Sequence, residues 1–174
     1  WSLIKPTILI FVFWFAISIG LRGGGPVNEY PFFLWLIAGM VPWFYMSEMI
    51  SAGTFAIRKY KYLVTKMKFN VSIIPTFFSL SSLFVHTCMM VIVILIFVFK
   101  GFTPDIYYLQ LPFYMLFMFI FFTTWSLFSA PLAAISNDYG NLVKSLVTAI
   151  FWLSGVLWDV NSLQIGWLKI LPKF

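Results

Sequence analysis

Residues 71–99 read VSIIPTFFSLSSLFVHTCMMVIVILIFVF and contain no lysine, arginine, aspartate or glutamate. An α-helix needs about 20 mostly apolar residues to cross the hydrocarbon core of a bilayer, and this run is long enough. Helical structure is expected because backbone groups without hydrogen bonds are costly in hydrocarbon. The stretch therefore predicts a membrane-spanning helix.

Apolar runs of the same kind recur along the whole chain and are joined by short polar connectors. Only 9% of the 174 residues are charged and 62% are hydrophobic, whereas about 25% of the residues of a soluble domain are charged. The alternation expected of a membrane β-barrel is missing. We therefore expect an all-α polytopic membrane protein, a single transmembrane domain over residues 1–174 with about five transmembrane helices. The predicted spans are residues 6–21, 32–53, 71–99, 111–135 and 142–157.

The basic residues orient these spans. Cytoplasmic positions for the start of the chain, the 54–70 loop and the 136–141 turn put seven of the 11 basic residues on that side. The positive-inside rule then predicts a cytoplasmic N-terminus. The cations behind the net charge of +6 lie mostly in one loop between spans, so no nucleic-acid partner is expected. The fifth run is shorter than about 20 residues, so we expect it to cross only partly.

The loop at 54–70 is the one strongly basic segment of the sequence, with five cations and no acid. Its apolar residues recur at helical spacing, which predicts a short amphipathic helix with a cationic face. Three interpretations fit this pattern: a membrane-surface helix attracted to anionic lipid, a solvated connector, and a docking element for a cytoplasmic partner. The apolar positions are Ile57, Tyr60, Leu63, Val64 and Met67.

Groups that could carry catalysis are few and scattered. The five acids do not stand at ligand spacing from each other or from His86, the single histidine. General acid–base catalysis and metal centres need several such groups to converge, so we expect neither in this chain. Glu48, His86 and Asp138 are the polar candidates for a functional role. The alternatives are an interfacial carboxylate for Glu48 and a neutral imidazole hydrogen-bonded between helices for His86.

The fourth predicted span carries small residues at four-residue spacing. These residues, Ser126, Ala130 and Ala134, would let another helix approach closely. The pattern predicts helix packing and not a binding site.

Several stretches resemble type-2 ABC exporter permeases for polysaccharides, and within these the chain is most similar to the permeases that export wall teichoic acid in Gram-positive bacteria. O-antigen and capsule exporters are relatives of that group. The resemblance extends over essentially the whole chain, through residues 136–138 and 152–158. The stretches that carry it are GLRGGG at 20–25, LWLIAGMVPWF at 34–44 and YLVTKMKF at 62–69.

The resemblance implies a six-helix subunit of the bacterial plasma (inner) membrane that forms a homodimer and carries two copies of a separate ATP-binding subunit. The chain would then lack an amphipathic N-terminal helix and the last span. It has no P-loop lysine motif, so ATP and Mg²⁺ would bind the partner subunit and this chain would hold no cofactor. The coupling loop that contacts the ATPase would comprise Arg58, Lys59, Tyr60, Lys61, Tyr62, Leu63, Val64 and Lys66.

Aromatic residues make up 22% of the chain. Most are expected at the membrane interfaces or in the core. Others could line a substrate path, because the C–H faces of sugar rings stack on aromatic rings. The resemblance implies such a path between two subunits, for a lipid diphosphate-linked polysaccharide. The candidates are Trp14, Trp43, Phe44, Trp125 and Trp152.

The function expected from the sequence is therefore that of a permease subunit without a catalytic site, in an ATP-driven exporter of wall teichoic acid. Its other partners would be membrane lipids. The alternatives are an O-antigen or capsular polysaccharide exporter, and, from another class, a membrane enzyme acting on lipid-linked sugars. That enzyme should show acids or histidines clustered at one interface. An ion channel or secondary transporter should show paired charges near the middle of the membrane.

Overall fold

The computed structural model describes residues 2–20, 25–27, 30–66 and 70–157. Within these residues the regular structure is helical, which confirms the predicted all-α fold class. Parts of the predicted turn at 22–29, the end of the basic loop at 67–69 and everything after 157 lie outside the described residues. The helices are α1 (Ile4–Phe15) continued by a π-helical turn (Ala16–Gly20), α2 (Phe32–Thr54), α3 (Ala56–Lys59), α4 (Lys61–Lys66), α5 (Ile73–Phe99), a 3₁₀ turn (Ile106–Leu109), α6 (Gln110–Ile135) and α7 (Asn137–Leu153).

Three helical segments are long and apolar enough to cross a membrane: Phe32–Thr54, Ile73–Phe99 and Ile106–Ile135. They confirm the second, third and fourth predicted spans. The apolar helix Ile4–Gly20 is shorter, and α7 has 17 residues. Both are below the length of about 20 residues that crosses a bilayer upright.

Helix α7 begins earlier than the sequence predicts. The prediction placed a polar turn at 136–141, but only Ser136 is extended, with φ −118° and ψ 122°, and the helix starts at Asn137. Ser136 acts as the N-cap, because its Oγ accepts a hydrogen bond of 3.4 Å from the backbone N–H of Tyr139. Asp138 in the first turn adds a negative charge near the positive end of the helix.

The basic loop forms two short helices and not the single predicted one. Helix α3 ends at Lys59 and α4 begins at Lys61, while Tyr60 between them has φ −107° and ψ 24°. Ala56 in α3 is buried, whereas Lys61 and Tyr62 in α4 are exposed. Helix α3 packs against α5 and α6, while the residues of α4 are exposed or half-buried.

The described residues pack as two compact units, one containing those up to Phe44 and those from Thr148 to Leu157, and the other those between Tyr45 and Val147. In the second unit, α5 and α6 pack along each other and α3 packs against both. Its core contains Tyr45, Met49 and Phe122. Partly buried side chains from α2, α5 and α6 surround this core: Met46, Ile50, Phe78, Leu83 and Met118.

Small residues on α6 allow the end of α2 to come close. Ser126 and Ala130 are fully buried, as the small-residue pattern predicts. Ala134 is exposed, because the buried face of a helix follows steps of three and four and passes through Ser129 and Ala133. A Cβ at Gly53 would overlap Ser126 Oγ, so α2 needs a glycine at this position.

The ends of α2 and α6 lie together in the second unit. Thr54, the last residue of α2, is 2.7 Å from Ser129 near the end of α6 (Oγ1 to Oγ). The loop that follows α2 and the turn that follows α6 are therefore on the same side of the membrane. This is the relation that the predicted topology requires.

Candidate functional site

The chain leaving α2 is fastened to the end of α6 and the start of α7. We call this group of contacts the junction. Its members are Thr54, Phe55 and Arg58 on one side and Ser129, Ala133, Asn137, Tyr139 and Gly140 on the other.

Three hydroxyl groups run through the centre of the junction. Thr54 Oγ1 donates to the Ile50 carbonyl at 2.6 Å and lies 2.7 Å from Ser129 Oγ, which is 3.1 Å from the Tyr139 hydroxyl. Each hydroxyl has one proton to donate. Since the proton of Thr54 points to Ile50, Ser129 donates to Thr54 and Tyr139 donates to Ser129. Thr54 and Ser129 are 0% exposed, so the chain of hydrogen bonds satisfies groups that water does not reach.

Arg58 holds the turn between α6 and α7. Its Nη1 donates to the carbonyl of Ala133 at 3.2 Å and to the side-chain oxygen of Asn137. Ala133 lies in the last turn of α6, where carbonyl groups have no partner inside the helix. The guanidinium supplies that partner and places a positive charge at the negative end of the helix.

Phe55 packs on the backbone of α7. A Cβ built on Gly140 would lie 2.5 Å from Cζ and 2.7 Å from Cε1 of the Phe55 ring. Since real Cβ atoms do not approach so closely, any other residue at this position would displace the ring. The contact fixes the chain that connects α2 to α3.

Beyond Arg58 the basic loop presents an exposed surface of three cations and two tyrosines. Lys66 Nζ is 4.6 Å from the centroid of the Tyr62 ring, and Lys59 Nζ is 5.6 Å from that of Tyr60. These distances are within the range of cation–π attraction. We call this the basic surface; its residues are Lys59, Tyr60, Lys61, Tyr62 and Lys66.

The structure thus divides the predicted coupling loop. Arg58 is half-buried and bonded to α6 and α7, while the basic surface is open to solvent or a partner. Leu63 and Val64 are half-buried. Tyrosine is enriched at protein interfaces, and positive patches match acidic partners. The chemistry of the basic surface suits a partner with acidic groups.

The three polar candidates lie on three different helices. Glu48 is exposed on α2, and Asp138 is exposed in the first turn of α7. His86 on α5 is 4% exposed, and its ring centroid lies 5.0 Å from that of Tyr45. The role of His86, whether functional or that of an imidazole hydrogen-bonded between helices, stays a prediction. Among the described residues, no three His, Cys, Asp or Glu side chains are grouped so that they could hold a metal ion.

Two of the aromatic candidates meet in the first unit. The Phe151 ring lies 5.3 Å from Trp43 and 5.7 Å from Trp152, and it also contacts Phe13 at 5.6 Å (centroid distances). Trp43 is buried, whereas Trp152 is 59% exposed. The cluster therefore has a buried base and an open edge.

The other aromatic candidates lie elsewhere. Trp14 is half-buried against Phe33 in the first unit, at 6.1 Å between ring centroids, and Phe44 is half-buried on α2. Trp125 lines an open apolar groove of about 430 Å³ on the exposed face of α6. Its indole Nε1 is buried and has no hydrogen-bond partner among the described residues. The other residues that line the groove are Phe117, Ile120, Phe121, Thr124 and Phe128.

Reasoning from the sequence missed the junction and Phe151. Ser129 and Tyr139 look like ordinary hydroxyl residues near the ends of helices, and nothing in one sequence pairs them with Thr54, 75 residues away from Ser129. The glycine at 140 in the first turns of α7 is the one local signal, because glycine in a helix is unfavourable unless something packs closely on it.

Comparison with known proteins gives the family. The chain matches the ABC-2 type transporter family over residues 1–174. It is also similar to the O-antigen export system permease protein RfbA of Myxococcus xanthus, with 23% identity over 164 residues. That alignment covers 94% of this chain and 62% of the relative, so the chain spans less than two thirds of the relative's length. With three helices able to cross a bilayer, the chain is a multi-pass membrane protein that belongs to the ABC-2 type transporter family.

Proposed function

We propose that the chain is the membrane-spanning permease subunit of an ATP-driven exporter of lipid-linked cell-surface polysaccharide in the bacterial plasma membrane. Membership of the ABC-2 type transporter family and the similarity to an O-antigen export permease support this function. The observation that carries it is the basic surface. It projects from a short segment that is anchored to the bundle, as a docking element for a cytoplasmic partner must be.

The partner is a separate ATP-binding subunit, which binds ATP and Mg²⁺. Two permease chains form a homodimer above two such subunits. Closure of the ATP-binding subunits displaces the basic surface of each permease and opens a path along the dimer axis. A docked element can transmit force only if it is rigid, and the junction supplies that rigidity.

The substrate class is a polymer linked to a lipid diphosphate. Sugar rings have little charge and apolar C–H faces, so an aromatic wall suits them. The open edge of the Phe151 cluster, with Trp152 exposed, is the candidate wall. Two polymers fit: wall teichoic acid, from the resemblance of the three stretches at 20–25, 34–44 and 62–69, and O-antigen, from the name of the relative.

Co-purification tests the proposal. We expect the full-length protein to bind its ATP-binding subunit, and we expect the triple variant Lys59→Glu, Lys61→Glu, Lys66→Glu to lose binding at least about tenfold, because it reverses the charge of the basic surface. The control is Lys5→Glu, Lys100→Glu, Lys144→Glu, which changes the net charge equally at other exposed positions. If both triple variants bind the ATP-binding subunit equally well, the basic surface is not part of the interface.

A further inference from the structure

The basic surface would transmit little if it were attached only through the chain on either side of it. Helix α4 has no buried residue, and the helical conformation is interrupted at Tyr60. A push on α4 reaches the spans through α3, the part of the loop that packs against α5 and α6. What happens at the start of the loop, before Tyr60, therefore decides where the force goes.

At that start the chain follows α6 in constant register. Thr54 contacts Ser129 and Arg58 contacts Ala133, and both pairs are separated by 75 residues. Residues four apart on one segment thus face residues four apart on the other, which is one helical turn on each. Helix α3 therefore continues the course of α2 alongside α6, although the helical conformation is interrupted at Phe55.

The contacts extend from α6 to α7. Arg58 bonds Asn137, the first residue of α7, and Phe55 packs on Gly140 one turn later. Tyr139 closes the chain of hydroxyl groups from the same turn. Hydrogen bonds, a charged group and ring packing all join the same two segments, so neither segment can shift without breaking several contacts of different kinds.

We propose that the junction is a mechanical latch, with Arg58 as its positioning residue, which makes the basic surface move together with the turn between α6 and α7. This inference rests on the proposed function. The ATP-binding subunit touches the exposed lysines, and Arg58 passes the displacement to α6 and α7, two helices that the basic loop does not adjoin in sequence. Lys59 and Arg58 are neighbours with different tasks: Lys59 faces the partner, and Arg58 faces the bundle.

Arg58 and Asn137 must then act as one unit. Loss of either side chain, by Arg58→Ala or Asn137→Leu, breaks the same bond from opposite ends. The double variant should lower the polymer exported per ATP no further than the more damaging single variant, because the effects of two substitutions that remove one shared interaction do not add. The exchange variant Arg58→Asn, Asn137→Arg places the same two groups on opposite segments and should restore part of the loss.

The first measurement needs no partner subunit. In a Cys88→Ala background, a nitroxide spin label attached to the variant Asn141→Cys, at an exposed position, reports the mobility of α7. We expect Arg58→Ala to raise this mobility clearly and Lys100→Ala, which removes an exposed cation elsewhere, to leave it unchanged. If Arg58→Ala and Lys100→Ala give the same spectrum as the parent protein, the latch does not exist.

The second measurement uses the full-length permease with its ATP-binding subunit in proteoliposomes. We expect Arg58→Ala and Asn137→Leu to keep ATP hydrolysis within about twofold while the amount of polymer exported per ATP falls at least about tenfold, and the exchange variant to recover part of that ratio. The latch would be overturned if the two single variants left the polymer exported per ATP unchanged. It would also be overturned if they lowered it and the exchange variant restored none of the loss.

The two measurements separate the inference from the proposed function. If the wild-type protein binds no ATP-binding subunit, the proposed function fails and takes the transmission role of the latch with it. The spin label still shows in that case whether the two segments are joined. If the wild-type complex exports polymer and the Arg58 and Asn137 variants export as much polymer per ATP as the wild type, the proposed function stands and the latch is wrong.

Discussion

Single side chains set the direction of the hydrogen bonds inside the junction. Tyr139 donates to Ser129, Ser129 to Thr54, and Thr54 to the carbonyl of Ile50. A buried donor or acceptor that loses its partner is destabilising by about 1–3 kcal/mol, more than a hydrogen bond adds when it is made. The position of a residue in this order therefore decides what its removal does.

Ser129→Ala should lower stability more than Tyr139→Phe. The first change takes the acceptor from Tyr139 and the donor from Thr54, whereas the second removes only the last donor and leaves Ser129 bonded to Thr54. We expect a loss of about 1–3 kcal/mol for Ser129→Ala and a smaller one for Tyr139→Phe. Thermal unfolding in detergent measures both, with Ser145→Ala at an exposed position as the control. The reverse order would contradict the assigned direction.

Gly140→Ala should also be destabilising, because its Cβ would overlap the Phe55 ring. Overpacking of this kind costs about 1–3 kcal/mol. Gly20→Ala is the matched control, since nothing lies within 4 Å of a Cβ there. In the double variant Gly140→Ala, Phe55→Leu, the smaller leucine side chain should recover part of the lost stability. Thermal unfolding of the four proteins tests the contact, and equal effects of the two glycine variants would exclude it.

At the scale of whole helices, the sequence predicts long spans well and short elements poorly. The second, third and fourth spans follow from apolar runs that hydrocarbon requires to be helical, so their ends agree with the structure to within a few residues. The break at Tyr60 and the early start of α7 depend on contacts with distant residues or on a cap. Runs of four to six residues carry too few positions for periodicity to show such a break.

The start of α7 gives a prediction for the cap. Ser136→Ala removes the acceptor of the Tyr139 N–H and should destabilise the protein by about 0.5–2 kcal/mol. Ser136→Asp keeps an acceptor and adds a negative charge at the helix N-terminus, so it should be at least as stable as the wild type. Thermal unfolding distinguishes them. If the Ser136→Ala and Ser136→Asp variants unfold at the same temperature, Ser136 does not cap α7.

At the scale of the whole molecule, the function depends on which side of the membrane each connector faces. The contacts in the second unit place the basic loop and the turn before α7 on one side. Charge bias in the sequence assigns that side to the cytoplasm. The contacts of Thr54 with Ser129 and of Arg58 with Ala133 join residues 75 positions apart. They could not be predicted, because one sequence carries no signal for long-range pairs.

Labelling of single cysteines tests this orientation. In a Cys88→Ala background, the variant Lys61→Cys should react with a membrane-impermeant maleimide only from the cytoplasmic side. The variant Thr103→Cys, in the connector after α5, should react only from outside. Both positions are exposed in the structure, so access is decided by the membrane alone. Labelling of both from the same side would reverse or abolish the proposed topology.

The most direct test is to reconstitute the full-length permease with its ATP-binding subunit in proteoliposomes and to measure movement of lipid diphosphate-linked oligosaccharide across the bilayer, with teichoic acid and O-antigen precursors in parallel. The account predicts transport of one of them that requires ATP hydrolysis and is lost in the Lys59→Glu, Lys61→Glu, Lys66→Glu variant. Transport of neither precursor by an assembled complex that hydrolyses ATP, or transport that proceeds equally without ATP, would contradict it.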